Sequence, residues 1–400
     1  VEGREAGAPY TVVLRGAKAD LPSCTCLDFG KSELTLCKHV ERVRGWFSRK
    51  RKRLPKRVAS VWWRPREWAL GAPDPLREIR IDLVGAEADG EVASAFGPDG
   101  WLLGVPGGGE GPAAARAAVE AARAFAAARG LVFDLDPAVG RRIEEAEAAR
   151  ARSDRLAGAA RGGEGWRSVV PGLGMRLHAY QEDGVDFLAR RGRAFLADDM
   201  GLGKTVQAVA AALLLRRTAG AARALVVCPA SLKHQWKAEI ARTCGESALL
   251  LDGDRAGRVE AYAGWREGFL VLNYELVLRD LDAIRGAAPD LVILDEAQRI
   301  KNWETKTAKA VKRLESPHAF ILTGTPLENR LAELHSLVEF LHPRALGPRW
   351  RLIPLHVVAD ATGRVLAYEG LDLLRSRLRS FFVRRERREV LDQLPPRIDN

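Results

Sequence analysis

The sequence is poor in the features that mark secreted scaffolds and membrane proteins. It has 5 cysteines in 400 residues, too few for a disulfide framework. Its apolar runs fall short of the roughly 20 residues that a membrane helix requires, and the longest, Ala208 to Leu215, ends at Arg216. The first twenty residues lack the apolar stretch of a secretory signal. We therefore expect a soluble, cytoplasmic protein with no membrane partner.

What the sequence does have is a globular composition with excess positive charge. Apolar residues make up 47% and charged residues 29%, and 400 residues are enough for more than one domain. Part of the net charge of +11 lies in two stretches: nine Lys or Arg without an acidic residue from Arg42 to Arg57, and seven Arg with two Glu from Arg375 to Glu389. Such stretches suit a polyphosphate partner, but a solvated linker or helix face has the same composition.

Composition divides the chain into residues 1–57, 58–165 and 166–400. The middle segment has the pattern of an accessory α+β region: an alternating strand over Arg77 to Val84, a hairpin over Glu91 to Val105, and helices over Ala113 to Arg129 and Arg141 to Leu156. The hairpin prediction rests on the turn residues Gly-Pro-Asp-Gly at 97–100. This segment could be an adaptor, a regulatory brake or a spacer.

From residue 166 onward, short apolar runs alternate with helical stretches, which predicts a parallel sheet flanked by helices. The predicted strands are Ala194 to Ala197, Ala224 to Cys228, Leu249 to Leu251, Phe269 to Asn273, Leu291 to Leu294 and Phe320 to Leu322. Ligands of such sheets bind at the carboxyl ends of the strands. We therefore expect the chemistry to lie just after each run.

The first of these strands leads into D-D-M-G-L-G-K-T at residues 198–205, followed by an apolar helix. A glycine-containing loop that opens a helix turns backbone N–H groups toward a phosphate. We expect Lys204 to reach the β- and γ-phosphates and Thr205 to bind Mg²⁺. Asp198 stands where the strict pattern has glycine. The residues expected to cradle the phosphates are Asp199, Met200, Gly201, Leu202 and Gly203.

A second group of motifs supplies acidic and hydroxyl groups. Residues 291–298 read L-V-I-L-D-E-A-Q, so a buried strand delivers two carboxylates, Asp295 for Mg²⁺ and Glu296 for the attacking water. An isolated Asp-Glu pair could instead cap the following helix. The next strand ends in L-T-G-T-P at 322–326, where Thr323 and Thr325 could sense the phosphate site or satisfy a tight turn.

Together with V-V-C-P-A-S-L-K-H-Q-W (226–236), L-N-Y-E (272–275) and L-T-G-T-P-L-E-N (322–329), these motifs resemble, in order, those of the first RecA-like lobe of Swi/Snf-type ATPases, DNA translocases of helicase superfamily two. The resemblance covers about residues 170–400. It implies ATP and Mg²⁺ as cofactors, duplex DNA and DNA-bound protein as partners, and a nucleoid-associated location. Lys204, Asp295 and Glu296 are the implied catalytic residues.

The resemblance extends to both ends of this region. Residues 177–188 are similar to the family's adenine-recognition segment, which makes Gln181 the base-reading residue, and residues 381–397 resemble the segment that leads out of the lobe. The family usually has His where Gln298 stands, so this sequence departs from the family's pattern at a position implied in coupling. The residues implied in coupling are Gln298, Thr323, Gly324 and Thr325.

The amino-terminal segment has a separate pattern, Cys-x-Cys followed by Cys-x-His. Cys24, Cys26, Cys37 and His39 have the residue types of a tetrahedral structural Zn²⁺ site, and their spacing is similar to a SWIM-type zinc finger. The alternative is a chance grouping of buried cysteines and a surface histidine. We expect the finger and the basic run after it to contact nucleic acid or a protein partner.

Hydrolysis in the family that the motifs resemble takes place between two RecA-like lobes, and the sequence shows no second set of strands and helices. Because the chain also begins at Val1, we expect the amino-terminal part of a longer ATPase that binds ATP–Mg²⁺ weakly and turns over slowly or not at all. The alternatives are a strand-separating DNA or RNA helicase and a zinc-dependent binding protein with an inactive nucleotide fold. The oligomeric state stays open.

Overall fold

The structure is a computed structural model of the chain. It describes residues 2–5, 8–15, 21–24, 58–63, 76, 79–103, 111–160, 170, 173–324, 331–343, 345–346, 349–359 and 365–393. The chain divides into two compact units, residues 1–150 with 350–352 and residues 151–349 with 353–400. The predicted three-part division at residues 57 and 165 stays a prediction.

The first unit contains two three-stranded sheets. One is antiparallel, in the order β1 (Glu2–Glu5), β2 (Ala8–Arg15), β3 (Leu21–Cys24). In the other, β4 (Val58–Trp63) lies between β5 (Ile79–Val84), to which it is antiparallel, and β6 (Val132–Leu135), to which it is parallel. The helices are α1 (Gly90–Ala95), α2 (Pro112–Ala128) and α3 (Pro137–Ala160), which runs on past residue 150.

Helix α2 packs on β4 and β6 through a stripe of alanines. The buried residues Ala115, Ala118, Ala122 and Ala126 recur every three or four positions, the spacing of one helix face. Their core partners include Ala59 and the isoleucines of β5. Small side chains let a helix backbone come close to a sheet, so this alanine-rich sequence forms a core.

The predicted hairpin over Glu91 to Val105 is half wrong. The turn forms, with Gly97 N–H donating to the carbonyl of Trp101 and a bridge pairing Phe96 with Leu102. The first arm, however, is helix α1. Its buried residues Val92, Ala95 and Phe96 have helical spacing rather than the alternation of a strand. The predicted strand and both predicted helices of this segment are confirmed as β5, α2 and α3.

The second unit is built on a seven-stranded parallel sheet in the order β15-β7-β12-β11-β8-β10-β9. The strands are β7 (Arg193–Leu196), β8 (Arg223–Cys228), β9 (Leu249–Leu250), β10 (Gly268–Asn273), β11 (Leu291–Leu294), β12 (His318–Leu322) and β15 (Phe382–Val383). All six predicted strands are confirmed, and β15 adds an edge strand beside β7. The α/β fold is the RecA-like arrangement that the sequence predicted.

Helices flank this sheet and contribute to its core. They are α4 (Ala179–Arg191), α5 (Lys204–Ala219), α6 (Lys233–Cys244), α7 (Arg255–Gly264), α8 (Tyr274–Ala287), α9 (Lys306–Val311), α10 (Leu331–Leu341), α11 (Arg349–His356) and α12 (Leu371–Leu378). A hairpin of β13 (Val357–Ala359) and β14 (Val365–Tyr368) follows α11.

Helix α5 accounts for the longest apolar run of the sequence. Every residue from Val206 to Leu215 is buried, and the leucines and valines belong to the core between helix and sheet. Over the stretches of chain that the structure describes, no helix combines the length and apolarity needed to cross a membrane.

Parallel pairing places the carboxyl ends of the strands at one edge of the sheet. Because β12 lies between β7 and β11, the residues after Leu196, Leu294 and Leu322 are neighbours there, although they are far apart in sequence. The motifs predicted to carry chemistry follow these three strands. This carboxyl edge is where the site must be sought.

Candidate functional site

The loop between β7 and α5 is shaped by two glycines and closed by a lysine. Gly201 (φ 83°) and Gly203 (φ 72°) adopt left-handed conformations, and α5 begins at Lys204. The Lys204 Nζ donates to the carbonyl oxygens of Asp198 (2.7 Å) and Asp199 (3.0 Å). Burial lowers the pKa of Lys204, and the nearby carboxylates of the site oppose this shift.

This loop fits an anion. Left-handed glycines at the start of a 16-residue helix present backbone N–H groups, and the helix dipole favours negative charge there. Leu202, only 1% exposed, anchors the loop, while Met200 is 71% exposed. Thr205 lies in the first turn of the helix, so a hydroxyl is at hand for Mg²⁺.

Two hydrogen bonds hold the carboxylate of Asp295, and a third holds its backbone. It follows β11, is 8% exposed, and accepts a hydrogen bond at Oδ2 from Nε1 of Trp236 (2.7 Å). Its Oδ1 accepts from the N–H of Glu296 (2.9 Å), and the Tyr274 hydroxyl donates to its carbonyl oxygen (2.8 Å). Burial raises the pKa of Asp295, and the bond from Trp236 counteracts that rise. A fixed, buried carboxylate of this kind suits a metal ligand.

Glu296 stands at a strained turn. Its φ of 47° is left-handed, which is uncommon for a residue with a Cβ, and the chain passes directly from β11 into a short 3-10 helix, Ala297–Ile300. The side chain makes no capping bond to that helix, so the capping interpretation of the Asp-Glu pair fails here. Instead, Glu296 Oε2 accepts from Nε2 of Gln298 (2.7 Å).

Gln298 links Glu296 to the loop after β12. Its Oε1 accepts a hydrogen bond from the hydroxyl of Thr323 (3.1 Å), while its Nε2 donates to Glu296. Both ends of the amide are therefore used. Thr323 bonds a residue of the site rather than only its own turn. Thr325 lies outside the described residues.

The loop after β12 also touches residues 197–203, the loop between β7 and α5. We call this loop the phosphate loop because the sequence predicts that it cradles phosphates. A Cβ on Gly324 would lie 3.0 Å from Nζ of Lys204 and 2.7 Å from Cγ of Met200, so a side chain would not fit there without displacing one of them. The carboxylates of Asp295 and Glu296 interact electrostatically with the Lys204 ammonium. The lysine-bearing loop and the carboxylate pair thus share one site at the carboxyl edge.

Gln181 lies beside this site. It is the third residue of α4, where its Oε1 accepts from the His178 N–H (3.0 Å) and its Nε2 donates to the Leu202 carbonyl (3.3 Å). Its Nε2 would lie 2.4 Å from a Cβ on Gly203, which explains why the loop comes so close. Its assignment as the base-reading residue stays a prediction.

The predicted zinc ligands are not described as side chains. Cys24 ends β3 with only its backbone described, and Cys26, Cys37 and His39 lie outside the described residues. Among the residues that the structure does describe, no group of three His, Cys, Asp or Glu side chains could hold a metal ion. The other two cysteines are free thiols, and burial raises the pKa of Cys228 to about 12.

Three residues that hold the site were not assigned a role from the sequence: Trp236, Tyr274 and Arg385. Trp236 and Tyr274 lie in motifs already noted for their resemblance, and each is a buried aromatic with a polar atom aimed at Asp295. Arg299, which follows the Asp-Glu pair, donates to Glu275 (2.9 Å) and so adds a second contact to the motif of Tyr274. A buried Trp or Tyr that needs a partner was the available signal.

Fold and site together define a RecA-like lobe with a glycine loop and a carboxylate pair at one edge of its sheet. The chain belongs to the SNF2-related domain family, whose model matches residues 180–400. It is similar to human TATA-binding protein-associated factor 172 (33% identity over 59% of this chain and 14% of that protein) and to chicken DNA repair and recombination protein RAD54B (32% identity, 58% and 28%). The chain thus spans less than a third of these relatives.

Among solved structures, the chain is similar to the Sulfolobus solfataricus SWI2/SNF2 ATPase core in complex with dsDNA. The identity is 28%, the TM-score is 0.49, and the match covers 56% of this chain and 48% of that chain.

Proposed function

We propose that this chain is the ATP-binding lobe of a DNA-dependent ATPase that couples hydrolysis to movement on duplex DNA or to remodelling of DNA-bound protein. The observation that carries the proposal is the meeting of Lys204 with Asp295 and Glu296 at one sheet edge. A glycine loop alone fits any anion. A glycine loop with a buried carboxylate and a second carboxylate beside it fits a metal–triphosphate and an attacking water.

Each residue has one task in this proposal. Lys204 binds the terminal phosphates, and Thr205 and Asp295 hold Mg²⁺, which neutralises charge on the phosphate oxygens when it is bound. Glu296 orients the attacking water and accepts its proton at a carboxylate oxygen. Gln298 donates from Nε2 to Oε2 of Glu296 (2.7 Å) and accepts from the hydroxyl of Thr323, so it links Glu296 to the loop after β12.

DNA as the partner is supported by family membership, by charge and by the name of a relative. The chain carries a net charge of +11, and RAD54B is named a DNA repair and recombination protein. In the basic segment before the carboxyl end, the side chains of Arg375 and Arg388 are 75% and 78% exposed. Exposed guanidinium groups are suited to phosphate contacts that release counterions.

The test is the ATPase rate of the full-length protein with and without duplex DNA. We expect duplex DNA to raise the rate and Glu296→Gln to abolish the stimulated rate, whereas Glu304→Gln, an exposed carboxylate on a neighbouring loop, should leave it unchanged. A rate that ignores DNA would exclude the DNA-dependent part of the proposal. Displacement of a bound oligonucleotide without strand separation distinguishes a translocase from a strand-separating helicase.

We also propose that Cys24, Cys26, Cys37 and His39 bind a structural Zn²⁺ ion. The support is their pairing in the sequence as Cys-x-Cys and Cys-x-His. Elemental analysis should find one zinc per chain in the wild type and none in Cys24→Ser, with Cys244→Ser as the matched control. A wild-type chain that stays folded without zinc would remove this assignment.

A further inference from the structure

The segment that follows α12 pairs with β7 and continues beside the phosphate loop. The N–H groups of Phe195 and Ala197 donate to the carbonyls of Phe381 (2.7 Å) and Val383 (2.8 Å). The N–H of Asp199 donates to the carbonyl of Arg385 (3.0 Å). The pairing of alternate residues therefore runs past the end of the strand and into the loop itself.

The Arg385 side chain is the centre of this contact. Its Nε and Nη2 donate to the two oxygens of the Asp198 carboxylate (3.0 and 2.6 Å), which is 0% exposed. Nη2 also donates to Oε1 of Gln207 (2.8 Å), and Nη1 donates to the carbonyl of Tyr180. One planar guanidinium thus joins the phosphate loop to helices α4 and α5, a geometry that lysine cannot reproduce.

The cluster is closely packed. A Cβ on Gly184 of α4 would lie 1.8 Å from Oε1 of Gln207 and 2.7 Å from Nη2 of Arg385. Gln207 itself is 0% exposed and donates from Nε2 to Asp198 (3.2 Å). Because these groups are buried and in close contact, we expect a shift of the loop backbone to move Arg385 or to break its bonds.

The backbone carbonyls and the carboxylates of Asp198 and Asp199 have different partners. Their carbonyl oxygens accept from the Lys204 ammonium, the group that a phosphate in the loop would also attract. Their carboxylates hold the other segment: Asp198 accepts from Arg385, and Oδ2 of Asp199 accepts from the N–H of Arg387 (2.9 Å). The same two residues thus contact the phosphate-binding lysine and the segment that leads away from the sheet.

We propose that Arg385 is a positioning residue that couples the phosphate loop to the segment 381–387, so that nucleotide binding and docking of this segment stabilise each other. This inference rests on the proposed ATP-binding function. It explains Asp198, the residue that departs from the strict phosphate-loop pattern: a glycine there would leave Arg385 without its buried partner. Coupling of this kind is reciprocal, since each event must favour the other by the same factor.

The experiment measures hydrogen exchange and nucleotide affinity on the full-length protein. With Mg²⁺ and a slowly hydrolysed ATP analogue, we expect exchange of the Ala197, Asp199 and Arg387 amides to slow by about fivefold or more. In Arg385→Gln this slowing should disappear and the analogue should bind about fivefold more weakly. Arg279→Gln, the same charge change at an exposed arginine of α8, should behave as wild type.

Further variants separate coupling from stability. Arg385→Gln leaves a buried carboxylate unpaired and can unfold the lobe, so the double variant Asp198→Asn with Arg385→Gln removes both charges. We expect it to keep its fold by circular dichroism and still to lose the nucleotide-dependent slowing. Arg385→Lys, which keeps the charge but not the fork, should restore part of the slowing.

The two proposals fail in different ways. If the wild type binds the analogue and the Arg385 variants bind it equally well with unchanged slowing of exchange, the coupling is overturned and the proposed function stands. If the wild type does not bind the analogue at any Mg²⁺ concentration, the proposed function falls and the coupling falls with it.

Discussion

Charged residues lie at both ends of the strands in the seven-stranded sheet, which we call the amino edge and the carboxyl edge. Their partners differ between the two. At the amino edge, Arg193 begins β7 and donates to three carbonyl oxygens, those of Ser316, Phe340 and Leu341. Arg223 begins β8, where it donates to the carbonyl of Ala287 and pairs with Asp290. Each guanidinium there ties a strand to the end of another element.

At the carboxyl edge, charged side chains from different segments lie near one another instead. Lys204 follows β7, and Asp295 and Glu296 follow β11. The three interact electrostatically, and the loop after β12 lies beside Lys204. The groups that hold them are side chains of other elements, above all Trp236 and Gln298. Charge alone therefore does not mark the site: at one edge charged residues tie elements of the fold together, and at the other they lie where we propose that a nucleotide binds. Substitutions at the two edges should separate stability from nucleotide chemistry.

The largest effect is expected for Glu296→Gln. Without a carboxylate to accept the proton, hydrolysis should fall by about a hundredfold or more. ATP–Mg²⁺ binding should persist because Lys204 and Asp295 are intact. Single-turnover hydrolysis and equilibrium binding measure the two quantities separately. Equal loss of binding and hydrolysis would show that Glu296 is a ligand-binding or structural residue.

Lys204→Ala should affect binding itself. Removal of the ammonium loses charge-assisted bonds to the phosphates, so the affinity for ATP–Mg²⁺ should fall by about tenfold to a hundredfold. Fluorescent-nucleotide titration measures this change. Lys237→Ala, an exposed lysine on α6, is the control. If both variants bind alike, the carboxyl edge is not a triphosphate site.

Trp236→Phe tests how the carboxylate that we propose to bind Mg²⁺ is held. The ring stays buried, but the bond to Asp295 is lost, so the pKa of Asp295 should rise further and the Mg²⁺ concentration for half-maximal activity should increase about tenfold. The increase should be greatest at low pH. Trp303→Phe, at a tryptophan 41% exposed, is the matched control. An unchanged Mg²⁺ requirement would remove Trp236 from the site.

Gln298→Ala should weaken coupling more than binding. It breaks the links to Glu296 and Thr323, and we expect DNA stimulation of the ATPase to fall by about fivefold while ATP affinity changes little. Gln235→Ala, at an exposed glutamine of α6, should do neither. Loss of affinity with full stimulation would instead place Gln298 on the nucleotide.

The smallest effect belongs to the amino edge. Burial lowers the pKa of His318 to about 4, with Arg152 and Arg193 adding to the shift, and its Nδ1 has no hydrogen-bond partner. The unfolded state takes up this proton near pH 6.5 and the folded state only near 4, so stability is full above 6.5 and falls as the pH drops between these values.

In His318→Gln this part of the pH dependence should vanish, reducing the slope of the unfolding free energy by at most about 1.4 kcal/mol per pH unit. Urea denaturation at pH 7 and pH 5 measures it, while ATP affinity should not change. A wild-type slope that persists in His318→Gln would assign the titration to other groups.

Much of the second unit could be predicted because its signals are local. The strands of a buried parallel sheet are short runs of Val, Ile and Leu, and all six predicted runs form strands within two residues of their expected ends. The hairpin arm at Glu91 was wrong because the same few apolar residues fit either period until the packing of Val92 and Phe96 selects one.

The sequence by itself determined the strand–loop–helix around Lys204 and the strand that delivers Asp295 and Glu296, because backbone propensity and burial pattern act over a few residues. Only the tertiary structure decided that Trp236 and Tyr274 hold Asp295, and that Arg385 pairs with Asp198 across 187 positions. Hydrogen bonds between distant residues depend on the order of strands in the sheet, which no local pattern encodes.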